Sequence, residues 1–125
     1  MNQIYQMQTA EAAFGAVDQQ VIQTLRNSVG NVRYQEIAED AAFMLAERLG
    51  KLDRALRDGD YTMCYRHALN VCGISSQIGM SKVANIARDV MKCAKAEDSI
   101  ALNAVVGRLN RLAETSLAAV FDHGI

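Results

Sequence analysis

Proline and tryptophan are absent from the sequence, and aromatic residues make up only 6% of it. A core with so few rings has to be built from aliphatic side chains and alanine, the composition of helix bundles. No run approaches the roughly 20 apolar residues of a membrane-spanning helix, which argues against a spanning segment. Charge of either sign is not in excess: the formal net charge is −1, with a pI near 6.1. General electrostatic attraction to nucleic acid or anionic lipid is thereby excluded. The three cysteines, Cys64, Cys72 and Cys93, are an odd number with no C-x-x-C pair. Histidine occurs twice, at His67 and His123, far apart and outside any ligand motif, so no metal site is expected. The N-terminal stretch lacks a basic region and an unbroken apolar run, so a signal peptide is not expected and a cytoplasmic protein is. No carboxylate pair, nucleophile–base motif or phosphate loop suggests independent catalysis. The acidic group Glu36-x-x-Glu39-Asp40 has no Glu-x-x-His partner and reads as a solvated helix face.

What is present is helical periodicity. At 125 residues the chain is long enough for one domain with a real core. Residues 1–16 form an N-terminal extension, a helix from about Thr9 or a tail, and residues 17–125 form the domain. Asp18 can cap a short helix carrying Val21, Ile22, Leu25 and Val29, closed by Gly30. From about Val32 to Arg57, Ile37, Ala41, Leu45, Leu49, Leu52 and Leu56 recur at helical spacing over seven turns. Gly50 lies inside this helix at a cost of roughly 1 kcal/mol relative to alanine, for which close approach of another helix is the plain explanation. Asp58-Gly59-Asp60 ends that helix and caps the next, an αα-hairpin turn. Beyond Gly79, Ser81 can cap a helix with Val83, Ile86, Ala87, Val90, Met91 and Ala94 inward. A last helix from Asp98 or Ser99 carries Leu102, Val105, Leu109, Leu112, Ser116, Leu117 and Val120. Four such helices on short links predict an all-α, up-down-up-down four-helix bundle with a short extra helix at its N-terminus. No alternating β-pattern, internal repeat or low-complexity segment competes.

The helix between Asp60 and Met80 organises the rest. Cys64, Ala68, Val71, Ser75 and Ile78 form its inward stripe. At about 100° per residue the opposite direction falls on Arg66, Leu69, Gly73 and Ser76, with Tyr65 and Cys72 towards one flank. His67 lies elsewhere, beside Met63, Asn70 and Ile74, about 60° from the centre of the inward stripe. Cys64 and Cys93 read as small core hydrophobes; Cys72, nearer the exposed side, is the one thiol to test for reactivity.

The segment Gly73-Ile74-Ser75-Ser76-Gln77-Ile78-Gly79-Met80 resembles the second half of the signature helix of histidine-containing phosphotransfer (HPt) domains of two-component phosphorelays, A-H-x-L-K-G-[SA]-[SA]-x-x-[LIV]-G-[AML]. Ala68 and Val71 fit its first half by class. Leu69 stands at the phosphoacceptor histidine and Cys72 at the lysine. Helix order and the Gly-Asp turn extend the likeness from about Val17 to Asp122.

The resemblance implies the HPt four-helix bundle and, as partners, a response-regulator receiver domain or hybrid histidine kinase. In that family the receiver supplies Mg²⁺ and most of the catalytic apparatus, so no cofactor is expected in this chain. The HPt helix supplies a nucleophile, a lysine, and a glycine that lets the receiver approach. Leucine at position 69 has no lone pair to offer, and cysteine at position 72 carries no positive charge. The expectation is a pseudo-HPt protein with Tyr65, Arg66, Leu69, Cys72, Gly73 and Ser76 as docking surface. Two alternatives stand beside it: active phosphotransfer through His67 as a displaced phosphoacceptor, and a helical scaffold outside phosphorelays. Leu69 is also open to cover by residues 1–16 or by a second copy in a homodimer.

Overall fold

The computed structural model describes residues 18–122. Five helices follow in order: α1 (Gln19–Val29), α2 (Asn31–Arg57), α3 (Tyr61–Gln77), α4 (Ser81–Lys95) and α5 (Ser99–Asp122). The expected extension 1–16, His123, and the side chain of Val120 lie outside what is described.

Local chemistry sets the boundaries. Aspartates cap three of the helices: Asp18 accepts from the backbone N–H of Gln20 and Val21, Asp60 from Met63 and Asp98 from Ala101. At the end of α2, Gly59 adopts φ +68°, and the N–H of Asp60 donates back to the Ala55 carbonyl. That pattern turns the chain directly from one helix into the next. At the end of α3, Gly79 adopts φ +79°; the N–H of Met80 donates to Ser75 O and that of Gly79 to Ser76 O. One boundary differs from expectation. Met80, not Ser81, holds the cap position of α4, and no side-chain cap bond forms there. Met80 is fully buried, so the turn at Gly79 delivers an apolar side chain to the core and leaves Ser81 as the first helical residue.

Helices α2 to α5 pack in sequence around the core, with α2 and α5 also in contact, as an up-down-up-down bundle requires. Leu45, Leu52, Val71, Val83, Val90, Leu102, Val106 and Leu109 fill its middle. The Cys64, Ala68, Val71, Ser75, Ile78 stripe of α3 is buried along its whole length. Helix α1 lies against the α3–α4 turn: the N–H of Asp18 donates to Gly79 O, and Ile22, 2% exposed, enters the core. Gly50 has a different explanation from the one its sequence invites. Among the described residues a Cβ there would meet nothing within 4 Å, so none of the other helices approaches it.

Candidate functional site

Helix α3 presents two flanks with different chemistry. Arg66, Leu69, Gly73 and Ser76 are exposed in one strip, with Leu69 51% exposed and Tyr65 half-buried beside it. Four residues along the helix from Leu69, the site of an added Gly73 Cβ meets no other described residue within 4 Å. Tyr61, Thr62, Tyr65, Arg66 and Leu69 line a groove of about 490 Å³, bounded on its other side by Ala94 and Lys95 at the end of α4 and by Glu97 in the turn after it. Its walls are aromatic and aliphatic, its rim carries two cations and one carboxylate, and no histidine or cysteine lines it.

Cys72 departs from its expected exposure. It is only 9% exposed and belongs to the apolar core, because α4 packs along the flank of α3 that carries Tyr65 and Cys72. It therefore does not stand on the exposed strip with Leu69 and Gly73. Cys64 is buried too; burial foremost, and then the charge of Asp60, push its thiol pKa up.

His67 occupies the other flank. The residue is 8% exposed and lines a separate groove formed by Lys51, Arg54 and Ala55 of α2, Asp58 and Asp60 of the turn, and Met63. Among the described residues its Nδ1 has no hydrogen-bond partner. Burial, then the charges of Arg48 and Lys51, lower its pKa below the ordinary histidine value, and Asp60 opposes them. The folded protein thus favours the neutral imidazole, while the unfolded chain takes up a proton near pH 6.5. Stability should be fully present above that pH and fall as pH drops through it towards the folded-state pKa. Urea midpoints measured between pH 8 and pH 5.5 are expected to fall in the wild type, and the His67→Gln variant should lose this component of the fall.

Tyr65, Arg66, Leu69, Gly73 and Ser76 are thus brought onto one accessible side of α3, whereas Cys72 and His67 are not part of it. Sequence reasoning missed the contribution of the end of α4 and the turn after it: Ala94, Lys95 and Glu97 complete the groove, and nothing in their spacing points to α3. Among the described residues no group of three or more His, Cys, Asp or Glu side chains is placed to hold a metal ion, and no helix is long and apolar enough to cross a membrane.

No family model matches the chain, and no curated protein matches it. Among solved structures it is similar to the crystal structure of histidine-containing phosphotransfer protein B from Pseudomonas aeruginosa PAO1, with a TM-score of 0.78 and 21% sequence identity. The likeness covers 87% of this chain and 95% of the other. At that identity it is the architecture that is shared, and the chain has the fold of a histidine-containing phosphotransfer protein.

Proposed function

We propose that this protein is an HPt-like signalling adaptor that docks a receiver domain, free or within a hybrid kinase, and carries no phosphoryl group itself. One observation supports this most strongly. The residue four positions before the open Gly73, where the family signature has its phosphoacceptor, is an exposed leucine, while the nearby imidazole is buried on the other flank. A leucine side chain has no lone pair with which to attack phosphorus, and it is a suitable anchor for an apolar docking face. Any Mg²⁺ in the encounter belongs to the receiver, and a cytoplasmic location is part of the same reading. Phosphotransfer through His67 would require the ring to leave its groove between α2 and α3. A scaffold unrelated to phosphorelays would give no reason for Gly73 to stay open.

Gly73 provides the test. A glycine inside an exposed helix costs about 1 kcal/mol relative to alanine, and no neighbour among the described residues requires it. Gly73→Ala should therefore raise stability by about 1 kcal/mol and weaken receiver binding, with Gly73→Gln weakening it by about tenfold. Chemical denaturation and calorimetric titration with isolated receiver domains measure the two quantities. Receiver affinity unchanged in both variants would remove the support for the proposal.

A further inference from the structure

The outer face of α2 lies away from the groove between α3 and α4 and has no use in receiver docking. Phe43, a large apolar residue, is 77% exposed there. Gly50, two turns further on, sits in open space, and the exposed Ala46 lies between them. Glu36, Glu39, Arg54 and Arg57 fall within about 40° of the same line along the helix, and all are exposed. The stripe, about 32 Å long, is therefore acidic at its beginning, apolar and small in the middle, and basic at its end.

Such a stripe is complementary to itself when reversed. We propose that α2 pairs antiparallel with α2 of a second copy of this chain, about a two-fold axis passing between Ala46 and Glu47. The register that seats Phe43 against Gly50 also sets Glu39 against Arg54 and Glu36 against Arg57, each contact occurring twice, as an isologous interface demands. The missing Cβ of Gly50 is the space that the partner's ring fills, which gives that glycine the purpose that packing within the chain does not. Glu36 already touches Arg33 along its own helix, so the Glu39 and Arg54 pair carries most of the charge register. Two acidic residues flank the line in the second half: Glu47 pairs with Lys51 along its own helix, and Asp53 accepts a hydrogen bond from Asn110 of α5. Exposed ion pairs contribute little to affinity, so charge fixes the orientation and burial of Phe43 drives association.

Sedimentation velocity of the full chain from about 10 μM to about 1 mM should show a concentration-dependent monomer–dimer equilibrium. Phe43→Glu should weaken it about tenfold or more, as should Glu39→Arg or Arg54→Glu alone, each of which places like charges opposite one another. The Glu39→Arg/Arg54→Glu double variant restores complementarity and should dimerise within about threefold of the wild type. Since all these positions are exposed, far-UV circular dichroism, and urea midpoints measured at a concentration low enough for the wild type to be monomeric, should stay near wild type in every variant. A monomer at all concentrations, a dimer indifferent to Phe43→Glu, or a double variant no better than its single parents would each overturn the pairing. Receiver binding does not enter these measurements, so the pairing and the adaptor reading fail separately.

Discussion

Gly79→Ala is expected to lower the unfolding free energy by about 2–4 kcal/mol, a large share of the total for a domain of this size. Two costs combine. With φ at +79° the residue lies in the left-handed region, which penalises any side chain. The added Cβ would also come within 2.9 Å of the Asp18 carbonyl oxygen and 3.3 Å of Ile22 Cγ1 and Val21 Cβ. A backbone oxygen cannot rotate aside, so α1 has to lift from the end of the bundle and Ile22 with it. Gly59→Ala is the control, because φ there is +68° but nothing lies within 4 Å. That variant should lose only about 1 kcal/mol. Urea denaturation of both proteins reads the difference, and equal losses would mean that the contact with α1 contributes nothing.

The second large effect concerns binding alone. Leu69→Asp should weaken receiver affinity by about thirtyfold or more, the range of a central anchor residue, while changing stability by less than about 1 kcal/mol. The side chain is half exposed and lies outside the core of the described residues, so its replacement removes none of their packing. A carboxylate at the centre of an apolar face must also be desolvated on docking without a partner. Calorimetric titration gives the affinity and denaturation gives the stability. Loss of both together would mean that Leu69 belongs to the fold.

The contrast between Gly73 and Gly79 shows how far the sequence could be read. Both stand in the same signature segment, and their spacing alone marks them as a pair. Backbone geometry separates them: Gly79 closes α3 and bears α1, whereas Gly73 lies in open helix with no other described residue against it. The helices were legible because aliphatic spacing without proline fixes helical phase, which is why every residue of the inward stripe of α3 is buried. The same phase placed His67 away from the exposed strip. Cys72 was misplaced because phase within one helix does not say which flank a neighbouring helix covers, and α4 covers that one. Gly50 was readable as a cost and not as a purpose, since its surroundings depend on what lies across the helix face.

The separation of the two flanks of α3 is the central claim, and phosphoryl labelling tests it most directly. The wild-type protein and His67→Ala should be incubated with a kinase, a receiver domain and radiolabelled ATP, with receiver binding measured on the same samples. The account predicts receiver binding by both proteins and no label on either. Acid-labile label on the wild type that disappears in His67→Ala would show that the imidazole reaches the receiver, and the adaptor reading would be wrong.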